Sequence, residues 1–490
     1  MKDILLFISD QHSWLQQGYA GDPVIRTPNL DRIASEGTAM QNASTPYPVC
    51  VPARMAMLTG QLASRCGVMS NMAALDSNRA TFAHCLNTAG YETVLCGRMH
   101  FVGPDQRHGF SKRIAGDITA IYHNRPNQAF AAERGVHDKT PQGGPSCLSI
   151  IGGGNSPTLE FDRYVVENAE QYLRGSYEKP QFLCVGTYGP HHPYVAPKEL
   201  YEYYYDKVSI PEQSFSYPEH PAIRGKILQD TDPEVVRAVR AAYYGMVEFE
   251  DGLIGRVYDA FQEYLARNGR EGVFVYVSDH GEHAGYRGYY GKSTFYEPSV
   301  HIPMLFAGQG IAKGRRCYGA VSLLDVAPTL CEIAGAVTPP DQDGVSLLPQ
   351  LCGGEEIQDR MVISETGGTI RIRTKEYLYG QMVRCGRYKY VHYEGFDAED
   401  RLFDVDQDPE ETVNVMDQHP DLVDSMRKLL AQRCAPSDVI RQRAEEFNEN
   451  LKILGRCDFD NAEERWHAPD CARHYPEHMV SSRRFGESKQ

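Results

Sequence analysis

Positive charge is in short supply in this chain of 490 residues: 50 Lys and Arg stand against 65 Asp and Glu, a formal net charge of −15. That balance excludes a protein whose whole surface binds nucleic acid or another polyanion. It leaves room for a small anionic substrate, because a local basic pocket can sit in an acidic protein. No apolar run approaches the length of a membrane span, so no membrane partner is expected. The apolar stretch Ile4 to Ile8 is too short for a secretory core. With no leader visible, the expected location is cytoplasmic. Internal repeats and low-complexity tracts are absent. The 13 cysteines are odd in number and scattered without a framework spacing, and Cys96, Cys184 and Cys331 lie in apolar segments. Buried free thiols in a reducing compartment are expected.

What the chain does have is an alternation of buried strands and helices. Apolar runs at Ile4 to Ile8, Thr93 to Cys96, Phe182 to Val185, Val273 to Val277 and Met304 to Phe306 read as strands buried on both faces. Helices are expected from Thr27-Pro28 to Gly37, from Thr81 to Ala89, from Leu159 to Leu173, from Pro233 onward and over Leu323 to Ala334. Such an order predicts an α/β fold with a large, mostly parallel sheet flanked by helices. From about residue 360 the texture changes to short strands (Met361 to Glu365, Tyr377 to Val383, Tyr388 to Tyr393) and a helix from Pro420 to Cys434. Two domains are expected: a catalytic domain over 1–360 and a small antiparallel-sheet-plus-helix domain with a surface tail over 361–490. The Gly-, Pro- and Asn-rich stretch 113–157 reads as a long loop at the substrate rim.

Polar residues gather at the strand ends. Asp10, Arg98, His191 and Asp279 each follow the carboxyl end of a strand, the edge at which open α/β sheets bind ligands. Asp10-Gln11 and Asp279-His280 offer mainly oxygen ligands, which suits Ca²⁺ first, with Mg²⁺ or Mn²⁺ as alternatives. Cys50-Val51-Pro52-Ala53-Arg54 precedes Met55 to Gly60, and Cys50 is expected at a helix N-terminus, where the backbone dipole favours an anion.

This five-residue stretch resembles the activation motif of the type I sulfatases, the formylglycine-dependent branch of the alkaline phosphatase superfamily. Other segments are similar to that family's elements: Ser278-Asp279-His280-Gly281-Glu282, Gly97-Arg98-Met99-His100, Pro190-His191-His192-Pro193 and Gly291-Lys292-Ser293-Thr294. The stretch from His100 to Phe110 is notably like choline sulfatases. The resemblance implies a sulfuric ester hydrolase. It makes Cys50, oxidised to formylglycine by a formylglycine-generating or anaerobic sulfatase-maturing enzyme, the nucleophile and a metal neighbour. Asp10, Gln11, Asp279 and His280 would hold one divalent cation. Arg98, Lys292 and Asn71 would bind the substrate, with Arg98 in the place of the family's lysine. His191 would protonate the leaving alcohol, His100 would act as a base, and Arg54 would support the modified residue. A carbohydrate sulfate is the expected substrate and choline sulfate the alternative. A phosphonate or phosphate diester hydrolase is the competing activity, disfavoured by the Arg98/His100 pair. A non-catalytic binder of sulfated ligands is the competing class.

Overall fold

The protein is described by a computed structural model that covers residues 1–119, 147–148, 150–211, 219–224, 232–370, 377–454 and 466. Fourteen strands occur among these residues. They are β1 (Asp3–Asp10), β2 (Gly37–Ser44), β3 (Glu92–Gly97), β4 (Lys112–Ala115), β5 (Ile151–Gly153), β6 (Gln181–Pro190) and β7 (Tyr194–Ala196), then β8 (Gly272–Ser278), β9 (Met304–Gly308), β10 (Arg315–Ser322), β11 (Met361–Ile370), β12 (Tyr377–Cys385), β13 (Tyr388–Tyr393) and β14 (Arg401–Asp404). Eight form one sheet in the order β10-β2-β9-β8-β1-β6-β3-β4, and β11 to β14 form a second. The large sheet is parallel except at β9, which runs against both β2 and β8. The second sheet is antiparallel throughout.

The large sheet is the middle of three layers. Ile4, Leu6 and Ile8 of β1 join a core with Val51, Met55 and Leu58 from the helix Cys50–Thr59 and with Leu330 from the helix Val326–Ala334. Leu5 and Phe7 point the other way, onto Leu30, Phe161, Val165 and Ile254 of the helices Pro28–Glu36, Pro157–Leu173 and Pro233–Asn268. Side chains alternate across a strand, so a strand covered on both faces is apolar at every position. Each such Leu or Ile stabilises the fold by about 1.5–3 kcal/mol through burial. The second sheet packs Val383, Tyr390 and Leu402 against the helix Pro420–Arg433 and against Ala56 of the Cys50 helix.

Several details depart from the expectations. β2, β4, β10 and β14 and the helix Ser437–Leu454 were not legible as elements. The presumed rim loop opens with β4 and contains β5; its residues 120–146 and 149 lie outside the described residues, as does the tail after 454 apart from Trp466. The Thr27 hydroxyl does not cap the helix that follows it. It accepts from the Gly18 amide and donates to Asp31 instead.

Candidate active site

Four segments deliver the site. β1 ends at Asp10, β8 stops just before Asp279, β3 just before Arg98 and β6 just before His191. β1 lies between β8 and β6, with β3 beyond β6, so these residues end side by side. The β3 exit needs glycine: Gly97 has φ +85°, and a Cβ there would sit 2.4 Å from the Gly186 carbonyl oxygen. Cys50 is the first residue of its buried helix, which stops at Gly60 in the left-handed conformation.

The acid half of the site is closed. Ligand atoms of Asp10, Cys50, Asp279 and His280 lie within 4.8 Å of one another, and all four residues are buried. Cys50 Sγ is 3.6 Å from Asp10 Oδ1 and 3.2 Å from His280 Nε2. Arg54, one turn along the helix from Cys50, donates to Asp279 Oδ2 at 2.7 Å, to Asp10 Oδ2 at 3.2 Å and to the Arg98 carbonyl oxygen at 3.1 Å. Burial opposes ionisation of Asp10, yet the Arg98, Arg54 and Lys292 cations hold its carboxyl well below the usual range. Burial and then Asp10 push the Cys50 thiol up to about 11, so an unmodified sulfur here is protonated at neutral pH and is a poor nucleophile.

The basic half is arranged around that sulfur. Arg98 Nε donates to Asp10 Oδ2 at 2.7 Å, its Nη2 is 2.8 Å from His100 Nδ1, and its guanidinium lies 4.8 Å from the centre of the Tyr188 ring. Its Nη1 is buried and has no hydrogen-bond partner among the described residues. Lys292 Nζ donates to Gln11 Oε1 and lies 2.7 Å from His191 Nε2 and 3.4 Å from Cys50 Sγ. His191 Nδ1 faces the His192 carbonyl oxygen at 2.6 Å. That contact fixes the proton on Nδ1 and leaves Nε2 to accept from the lysine ammonium. Burial, then Lys292, pushes His191 well below its ordinary value; burial, then Arg98, does the same to His100; burial lowers His280. All three imidazoles are neutral at pH 7.

The Gln11 side chain bridges Lys292 and Glu282: its oxygen accepts from the lysine and its amide nitrogen donates to the carboxylate. That bridge positions the lysine. Asn71 Oδ1 accepts from the Val51 amide at 2.9 Å and caps the Cys50 helix, which has no cap from its own N-cap residue Val49. Arg54, read as a support for residue 50, acts on the two carboxylates. Two residues went unread: Glu282, whose buried carboxylate also accepts from Tyr194 Oη and from the Ala284 and Gly291 amides, and Asp117, beneath Arg98 and His100. The Asp-His-Gly-Glu run contained Glu282; nothing local marked Asp117.

Comparison with known proteins places this geometry. A sulfatase family model matches residues 2–336, and a model of the N-sulphoglucosamine sulphohydrolase C-terminal region matches 281–435. The chain is 33% identical over 416 residues to a choline-sulfatase of Rhizobium meliloti (strain 1021), covering 80% of this chain and 78% of that one. It is 26% identical over 505 residues to arylsulfatase K of Mus musculus, covering 95% and 86%. The fold is shared with the phosphonate monoester hydrolase of Agrobacterium radiobacter (TM-score 0.70, 21% identity, 93% and 96% covered) and with a 2-O GAG sulfatase (TM-score 0.68, 22% identity, 97% and 98% covered). The strand-end cluster, the match over residues 2–336 and the choline-sulfatase likeness agree: this chain belongs to the sulfatase family, the sulfuric ester hydrolases built on the alkaline phosphatase-like fold.

Proposed function

We propose that the chain hydrolyses a small sulfate monoester, with residue 50 as nucleophile after oxidation of Cys50 to formylglycine by a maturing enzyme. One observation carries this: Cys50 Sγ sits between a carboxylate–imidazole cluster and the Lys292 ammonium, 3.6 Å from Asp10 Oδ1 and 3.4 Å from Nζ. The donor set of two buried carboxylates and one neutral imidazole fits a hard divalent cation, Ca²⁺ first and Mg²⁺ or Mn²⁺ next. Asp10, Asp279 and His280 would hold it beside residue 50. When present, the hydrated formylglycine would supply the attacking oxygen and the cation would stabilise the negative charge on it. Arg54 aligns both carboxylates through its bonds to Asp279 Oδ2 and Asp10 Oδ2. Arg98 offers its guanidinium to a sulfate oxygen, and Lys292 offers an ammonium hydrogen to the bridging oxygen. Because His191 is neutral, the proton for the leaving alcohol comes from the Lys292–His191 pair acting together. His100, also neutral, is a base on the opposite wall.

A carbohydrate sulfate is the substrate class we assign. The 2-O GAG sulfatase and a protein solved with D-glucosamine-2-N,6-O-disulfate share the fold over more than nine-tenths of this chain. Choline sulfate is the second reading, favoured by the 33% identity to the choline-sulfatase. The test pairs the mass of the Cys50 peptide with sulfate release from aryl, sugar and choline sulfates by wild type and Cys50→Ser. Exchange of the thiol for an aldehyde and loss of turnover in the serine variant are expected. Full activity in a serine variant that remains unmodified sinks the proposal.

A further inference from the structure

Asp117 lies just past β4 and is buried. Its Oδ2 accepts the backbone amides of Met99 at 3.1 Å and His100 at 2.9 Å. Its Oδ1 accepts the Thr119 amide at 2.9 Å and the Thr119 hydroxyl at 2.7 Å. Two guanidiniums stand just outside hydrogen-bond range, Arg113 Nη2 at 3.6 Å and Arg98 Nη1 at 3.9 Å. Burial opposes the charge, but the Arg98 and Arg113 guanidiniums hold the carboxyl well below its ordinary value. One anion therefore binds the main chain of the very turn that carries two site side chains.

That turn is strained. His100 has φ +60°, in the left-handed region that a histidine rarely occupies. Clamping the Met99 and His100 amides to one oxygen stabilises the turn against relaxing to an ordinary conformation. The geometry it holds brings His100 Nδ1 to 2.8 Å from Arg98 Nη2, with the other arm of Nη2 on Asp10 and Nη1 facing Asp117. A relaxed turn would swing the imidazole away, and the guanidinium would lose the contact that fixes its plane.

We infer that Asp117 is a positioning residue for the reaction: its carboxylate clamps the left-handed turn at His100 and so sets the imidazole against the Arg98 guanidinium. This rests on the hydrolase reading of the same site. Asp117 touches neither the sulfate nor residue 50; it acts through His100.

A carboxylate that served folding alone would show up in stability and nowhere else. The experiment is therefore a double-mutant cycle. Aryl sulfate turnover and thermal midpoint are measured for wild type, Asp117→Asn, His100→Asn and the double variant. Asparagine keeps an oxygen for the two amides but turns an NH₂ group towards the Thr119 donors. A loss of kcat/KM of about 10–100-fold is expected, the scale of a small misplacement at a catalytic site. In the His100→Asn background the same change should cost less than about 3-fold, since the imidazole it positions is gone. Losses that multiply overturn the inference. Should Asp117→Asn fail to fold, Thr119→Val loosens the same carboxylate from outside and should show the same dependence on His100. A readout independent of turnover is the imidazole nitrogen–proton signal of His100, identified by its loss in His100→Asn. It should move in both Asp117→Asn and Thr119→Val. If wild type releases no sulfate, the proposed function falls, and this signal alone decides: unmoved in either folded variant, it overturns the role of Asp117.

Discussion

Among the described residues, two buried charge clusters are built on opposite rules. One is the site at the end of the large sheet. The other joins the second sheet to the short helix that follows the Lys292 loop. There the Lys389 ammonium donates to Glu297 Oε1 at 2.9 Å and to the Phe295 carbonyl oxygen at 2.8 Å, and forms an ion pair with Glu411. Glu297 is also held by Arg384 at 2.9 Å and His301 at 2.8 Å. In the site, by contrast, Arg98 keeps a buried Nη1 with no acceptor, and Lys292 spends hydrogens on a neutral imidazole and a thiol. Charges that satisfy one another serve structure. Charges that are close, desolvated and poorly matched are waiting for another anion.

The strongest way to break the comparison is Lys389→Met. Removing one partner of a buried ion network leaves the others uncompensated and costs about 3–5 kcal/mol. A sharply lower denaturation midpoint is expected, with KM unchanged in the folded fraction. A stable variant with altered KM would mean that the two clusters do the same job. Next is Lys292→Ala, where the expectation reverses. kcat/KM for an aryl sulfate should fall about 10²–10³-fold, the cost of one preorganised charge at a transition state, while the midpoint holds or rises. A variant that unfolds would place Lys292 in the structural class.

The smallest effect sharpens the boundary between the two. Glu250 and Asp162 are buried beneath the β6 exit, and a Cβ on Gly189 would lie 2.9 Å from an oxygen of each. Burial, then Asp162, raises Glu250 well above its ordinary value, and burial raises Asp162 to about 7. The folded protein thus holds protons that the unfolded chain releases near pH 4. Stability contributed by this pair is fully present below that pH and declines as pH rises towards 7. Glu250→Gln removes one of the two acids. It should flatten that decline and raise stability at pH 8 by about 1–3 kcal/mol, read as chemical denaturation midpoints at pH 5 and pH 8. An unchanged pH slope would show that the pair carries no proton linkage.

Much of the site was legible because it lies at strand ends. Asp10, Arg98, His191 and Asp279 follow apolar runs whose burial on both faces leaves little choice of reading, and proximity then follows from a parallel sheet. β2 was missed because Gly37-Thr38-Ala39-Met40-Gln41-Asn42-Ala43-Ser44 has small and polar residues and no apolar run; it is a strand because β9 and β10 pair with it. The bridge that Gln11 makes had no local signal, because its side-chain partners, Lys292 and Glu282, arrive from segments 281 and 271 residues away. Asp117 was invisible for a similar reason: what it binds is main chain, which carries no signature in the sequence.

The burial of Cys50 sets a clock. From Cys50 to Arg54 every residue of the helix is buried, so the sulfur is far less exposed in the folded protein than in the unfolded chain. The residue that shuts the site over it, His280, lies 230 positions downstream. At about 5–20 residues per second, synthesis of that interval takes on the order of 10–45 s. For that long the cysteine is an accessible peptide residue, and afterwards it is part of a core.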